Sequence, residues 1–148
     1  MIELPKQRNP YPVIDVIINR NDEIILIKRR KEPNKGKFSI PGGFVEWGET
    51  VEDAAIREAQ EETGLKVKLA EILGVYSDPD RDVRGHVMTV AFVANPIGGI
   101  LKGGDDAEDA KWFNLSDVPF ENMPGDHPKI IHDFIKWKKS GGTYWSRK

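Results

Sequence analysis

Apolar and polar positions divide the chain into short strands and two helical stretches. Val13 to Asn19 is mostly Val and Ile, broken by Asp15, and reads as a buried strand. Asn21-Asp22 follows as a turn, and Glu23 to Arg29, rich in Ile and Leu, is a second strand, so the pair predicts a hairpin. Pro5, Pro10 and Pro12 keep the first dozen residues extended. Phe38-Ser39-Ile40 is a short strand stopped by Pro41-Gly42-Gly43.

Thr50 to Thr63 is the clearest helix. Thr50 and Asp53 form an approximate capping box, and Gly64 stands where a left-handed cap is wanted. Leu65 to Tyr76 predicts one strand or two, Ser77 to Gly85 a polar loop, and His86 to Ala94 an apolar strand. Gly98 to Asp109 reads as a glycine-rich acidic loop, and Lys111 to Asn114 as a short strand with Trp112 and Phe113 turned to the core. Asp126 to Lys139 is a second helix with Ile130, Ile131, Phe134 and Ile135 on one face. Strands and helices alternate without βαβ regularity, which predicts an α/β domain with a mixed sheet between helices. Its core is expected over residues 11–137, with 138–148 a flexible tail.

Composition narrows the class. The chain has 148 residues, 39% apolar and 31% charged, an ordinary mix for one domain spanning 1–148. Lys plus Arg total 22 against 24 Asp plus Glu, so a strongly basic nucleic-acid binder is disfavoured. With no Cys, thiol nucleophiles, disulfides and Cys-ligated zinc are excluded. No apolar run approaches the roughly 20 residues of a membrane span, and the start lacks the apolar core of a signal peptide, so the cytoplasm is the expected location.

Charge patterning singles out the first helix. Glu46, Glu49, Glu52, Asp53, Glu58, Glu61 and Glu62 are opposed there only by Arg57. At about 100° per residue Glu58, Glu61 and Glu62 share a stripe with Val51, Ala54, Ala55 and Ala59. A merely solvated acidic face would lie opposite the small apolar residues. Glu58 and Glu62 are four apart and repel, and partial burial enlarges that cost. Arg57 can serve one carboxylate; a divalent cation can serve all three. Oxygen ligands without Cys point to a hard ion, Mg²⁺ or Mn²⁺.

The spacing carries more. From Gly43 come five residues, Glu49, seven residues, then Arg57-Glu58-Ala59-Gln60-Glu61-Glu62-Thr63-Gly64-Leu65. This resembles the Nudix signature, G-x5-E-x7-R-E-U-x-E-E-x-G-U with U aliphatic, Ala59 standing as a small aliphatic. The resemblance implies an α/β/α sandwich that hydrolyses a nucleoside diphosphate linked to another group. It implies Glu58 and Glu62 as metal ligands, Glu61 as a third ligand or the base, and the Gly42 carbonyl as a further oxygen. Glu49 becomes an outer ligand or orienting partner, and Arg57 the group that holds the glutamates in position.

The segment Ser77 to His86 resembles a segment of ADP-ribose pyrophosphatases, R-D-P-R-G-H, with Val83 in place of its Pro. Pro79, Gly103-Gly104-Asp105-Asp106-Ala107 and Asp126-His127 also resemble that subfamily, although Gly125 replaces its Phe before Asp126. Arg81 and Arg84 are candidates to grip phosphate or ribose oxygens; the alternative is local pairing with Asp80 and Asp82. Tyr11, Phe38 and Trp47 are candidate purine platforms, and the sequence does not choose among them. The base that deprotonates water is Glu61 or a carboxylate of the acidic loop, Asp105, Asp106 or Glu108. The basic run Lys28 to Lys37 either steers an anionic substrate or is a solvated hairpin end. His86, His127 and His132 lack ligand spacing and are expected at the surface or in packing. The resemblance also implies a small-molecule partner and a possible homodimer. Rival readings are another nucleotide substrate, or a sensor that binds such ligands without hydrolysis.

Overall fold

In the computed structural model, which describes residues 2–102 and 109–148, strand β1 (Tyr11–Arg20) is the hub of the sheet. Its alternate side chains serve two different cores. Ile14, Val16 and Ile18 join one buried cluster and Ile17 the other, which is why the strand reads as nearly continuous Val and Ile. Strand β2 (Glu23–Lys28) divides likewise, with Ile24 and Leu26 on one side and Ile25 and Ile27 on the other.

The hairpin register is short, Asn19↔Ile24 and Arg20↔Glu23. Beyond it β1 changes partners. Strand β4 (Gly42–Phe44) pairs antiparallel with Val13 to Asp15, while β2 goes on to pair with β3 (Phe38–Ser39) and β7 (Asp109–Asn114). On its other edge β1 runs parallel to β6 (Val87–Gly99), which pairs antiparallel with β5 (Leu65–Tyr76). Among the described residues the result is an eight-stranded mixed sheet. A cleft opens where β1 leaves β2 for β4.

Helix α1 (Val51–Thr63) covers one face through Ala54, Ala55 and Ala59, whose small side chains let it lie close to the strands. Thr50 Oγ1 accepts from the Asp53 amide at 3.0 Å, and Gly64 closes the helix at φ 80°. A Cβ on Gly64 would also lie 2.1 Å from the Ile100 carbonyl, so this glycine is fixed by space as well as by conformation. Helix α2 (His127–Ser140) covers the other face with Ile130, Ile131 and Phe134. The α/β fold with helices on both faces of a mixed sheet is thus the architecture present.

Two expectations change. The C-terminal segment is not a frayed tail: α2 continues to Ser140, and β8 (Tyr144–Trp145) adds a parallel strand beside Gly74 and Val75. Gly74 permits this, because a Cβ there would sit 2.1 Å from the Tyr144 carbonyl. Gly98 and Gly99 belong to β6, paired with Lys66 and Leu65, rather than to a loop.

Candidate active site

The signature residues converge where α1 meets β4. Gly43 has no side chain, and a Cβ there would lie 2.4 Å from Glu58 Cδ, so the Glu58 carboxylate rests directly on the strand backbone. One residue earlier the Gly42 amide donates to Glu62 Oε1 at 3.1 Å. Gly42 therefore meets this cluster through its N–H. Glu58 is largely buried, with a side chain 15% exposed, and burial pushes its carboxyl up even though Arg57 pulls the other way.

Arg57 is the cation of the cluster. Its Nε and Nη2 donate to Glu49 at 3.0 and 2.6 Å, its Nη1 to Glu58 at 2.8 Å and to Glu61 at 3.2 Å, and its Nη2 to the Phe44 carbonyl at 3.1 Å. It thus serves three carboxylates and the β4 backbone, not one carboxylate. Glu49, which also accepts from the Glu46 amide at 2.8 Å, is held at about 2 mainly by the Arg57 hydrogen bonds. Glu61 is the outlier of the stripe, with a side chain 59% exposed and turned toward Arg57. Among the described residues no group of three or more His, Asp or Glu side chains stands as a ready-made metal cage. Glu58 and Glu62 beside Gly42 nonetheless form an oxygen-only donor set, which fits a hard divalent ion. Asp105, Asp106 and Glu108 lie outside the described residues.

From these carboxylates a cleft of about 180 Å³ runs past Gly42 and Phe44 to a floor of Asp15, Thr89 and His127. Arg29, Pro33 and Asn34 of the basic run border it, with Arg29 Nε held on the Pro33 carbonyl at 2.9 Å.

Two arginines meet the cleft differently. Arg81 is buried. Its Nε and Nη2 grip Asp126 at 2.9 and 2.8 Å and its Nη1 donates to Thr89 Oγ1 at 2.5 Å, so its partners are neither Asp80 nor a free solvent space. Arg84 pairs locally with Asp82 at 3.0 and 2.8 Å, and its guanidinium lies 5.2 Å above the Phe44 ring. Phe38 does not line the cleft. It packs edge-on to Phe113, with ring centroids 5.2 Å apart, against the α2-side core. Phe44, 44% exposed at the rim, is the aromatic face the cleft offers.

The sequence reading also missed Asp15 and His127. Asp15 is 4% exposed, and burial pushes its carboxyl up to about 7. His127 Nδ1 accepts from the Ile40 amide at 3.0 Å, which leaves the proton on Nε2, and burial pushes this imidazole down to about 4. For Asp15 the one available signal was the residue itself, a lone acid in an otherwise apolar strand. His127 was marked only by the Asp126-His127 resemblance, and its place beside Asp15 depends on how α2 docks.

The NUDIX domain model matches residues 10–134. An ADP-ribose pyrophosphatase from Methanocaldococcus jannaschii is 52% identical over 130 residues, covering 88% of this chain and 76% of that protein. The human 8-oxo-dGDP phosphatase NUDT18 is 34% identical over 90% of this chain, which spans only 39% of that longer protein. A crystal structure of a NUDIX hydrolase from Nitrosomonas europaea superposes with a TM-score of 0.83 at 22% identity, over 95% of this chain and 79% of that one. The chain belongs to the NUDIX family of hydrolases.

Proposed function

We propose that this enzyme hydrolyses the pyrophosphate bond of a nucleoside diphosphate derivative, with ADP-ribose as its substrate and AMP and ribose 5-phosphate as products. The observation that carries the reading is the seating of Glu58 and Glu62 against Gly43 and Gly42, with Arg57 tying Glu58 to Glu49. The choice of ADP-ribose rests on the 52% identity to a protein bearing that activity in its name.

Glu58 and Glu62, the latter oriented by the Gly42 amide, would hold Mg²⁺ or Mn²⁺, as hydrolases of this family generally use divalent ions. Such an ion neutralises charge on the two phosphates and makes water a stronger acid. Arg57 fixes where the carboxylates point. Glu61, or Asp106 or Glu108 from the acidic loop, takes the water proton as oxygen bonds to one phosphorus. The bridging P–O bond breaks, and the bridging oxygen leaves on the other phosphate. Arg84 at the rim is the candidate phosphate or ribose contact. The partner is a small molecule in the cytoplasm, and a homodimer is tested by sedimentation.

The test is incubation of the protein with ADP-ribose, an oxidised nucleotide, a dinucleoside polyphosphate and a nucleotide sugar in Mg²⁺, with products identified by mass. AMP and ribose 5-phosphate are expected. Similarity to NUDT18 favours the oxidised nucleotide as second candidate. Tight ADP-ribose binding without turnover would replace the enzyme by a sensor. Retention of metal-dependent turnover in the doubly substituted Glu58→Gln, Glu62→Gln protein would refute the ligand assignment.

A further inference from the structure

Asp15 occupies a costly position. It lies on the β1 face that carries Val13 and Ile17, beside Thr89 and Ala91 of β6, where an aliphatic side chain would satisfy the fold. Its Oδ2 is fully buried and has no hydrogen-bond partner among the described residues. A buried acceptor left without a partner is expensive, and native folds rarely tolerate one. The surrounding groups do not supply it. His127 Nε2 stands 3.7 Å away, too far for a hydrogen bond. Arg81 is engaged by Asp126 and Thr89. Gly42 opposite brings no side chain, and a Cβ there would fall 2.3 Å from Asp15 Oδ1.

Asp15 lines the cleft with this oxygen turned to its buried side, and its cross-strand partner Gly42 is next to the glycine on which Glu58 rests. A group reaching Asp15 is therefore one that is joined to the phosphates. The cleft is smaller than the roughly 300–1,000 Å³ that takes a whole drug-sized ligand, so its floor admits one ring.

We propose that Asp15 is a specificity-determining residue whose Oδ2 accepts a hydrogen bond from an O–H or N–H donor on the sugar or base half of the substrate. This rests on the reading of the chain as a nucleoside diphosphate hydrolase. Asp15 touches the part of the substrate that distinguishes one diphosphate from another. A site built around such an acceptor rejects the analogue that lacks the donor, because its own buried group is then left unpaired.

The test compares kcat/KM for ADP-ribose, its hypoxanthine analogue, which lacks the amino donor, and its 2′-deoxyribose analogue, which lacks a hydroxyl donor. The wild-type protein should lose at least about tenfold on one of the two. Which one is lost identifies the donor. Asp15→Leu and Asp15→Ala, checked for folding by circular dichroism, should lose activity on ADP-ribose and bring that analogue within about threefold of it. Equal use of all three substrates by the wild type overturns the proposal, and needs no variant to fold. Unchanged discrimination in a folded variant, the outcome if Asp15 only holds a water, overturns it too. If the wild type turns over no diphosphate derivative, the hydrolase reading fails separately. Calorimetric titration with AMP and ribose 5-phosphate then decides: binding of one weakened at least tenfold in Asp15→Leu supports the proposal, and equal binding refutes it.

Discussion

Arg57 holds Glu49 by two N–H···O bonds, Nη2 to Oε1 at 2.6 Å and Nε to Oε2 at 3.0 Å, and so ties the middle of α1 to the turn that precedes it. The same guanidinium reaches Glu58 and the Phe44 carbonyl. One planar fork therefore sets the distance between the helix carrying the carboxylates and the strand on which they rest.

Only a guanidinium presents that fork. Arg57→Lys keeps the charge and loses the parallel pair, so the carboxylates should lose their alignment while the charge balance is unchanged. Expected is a fall of about 10- to 100-fold in metal affinity or turnover, with Glu49→Gln behaving alike, as for other groups that orient ligands. Activity titrated against Mg²⁺ concentration checks this. Wild-type midpoint and turnover in Arg57→Lys would show that charge alone suffices.

Gly43→Ala puts a Cβ 2.4 Å from Glu58 Cδ, and the carboxylate must move. A misplacement near 1 Å can cost about 100-fold in rate, so turnover should drop by that order. Gly48→Ala is the control. Gly48 has φ +86°, and a Cβ added there would meet nothing within 4 Å among the described residues, so the substitution should cost about 1 kcal/mol of stability and leave turnover intact. Parallel kinetics and thermal unfolding of the two variants separate site geometry from backbone strain.

Much of this was legible because it is local or periodic. The capping of α1 by Thr50 and Gly64 and the stripe joining Glu58 and Glu62 to the alanines follow from helical geometry. The hairpin follows from Asn21-Asp22 between two apolar runs. What escaped was set by long-range docking. Arg81 finds Asp126, 45 residues away, instead of its neighbours, and His127 meets Ile40 across 87 residues. Phe38 looked like a platform because exposure cannot be read from a short strand; its ring is taken by Phe113, and Phe44, in the signature turn, faces the cleft instead. The tail was misread because two residues of strand, Tyr144 and Trp145, give too little pattern to detect.

Arg81 and Arg84 should separate by stability. Removing Arg81 leaves Asp126 and Thr89 without their partner in a buried network, and breaking such a pair typically costs about 3–5 kcal/mol. Arg84→Ala removes an exposed pair with Asp82 and should cost less than about 1 kcal/mol. If Arg84 contacts substrate, its loss appears as a higher KM instead. Urea denaturation of both variants, with KM for Arg84→Ala, tests the division; equal destabilisation would contradict it.

Asp15 and His127 give the fold opposing responses to pH. The folded Asp15 carboxyl titrates near 7 against an ordinary 3.8, so its contribution is complete below about 4 and is lost as pH rises to 7. The folded His127 imidazole titrates near 4 against an ordinary 6.5, so the unfolded chain takes the proton first, and stability is lost as pH falls from 6.5 to 4. Between those limits the slopes nearly cancel. His127→Gln leaves the Asp15 slope alone, and its stability relative to wild type should rise on acidification from pH 6.5 to 4, by at most about 3 kcal/mol. Asp15→Asn leaves the His127 slope and should be most favoured over wild type at and above pH 7, by at most about 4 kcal/mol. Urea unfolding at pH 4, 5.5 and 7.5 measures all three proteins. Profiles that stay parallel would mean that neither group changes its proton affinity on folding, and that the cleft floor is wet.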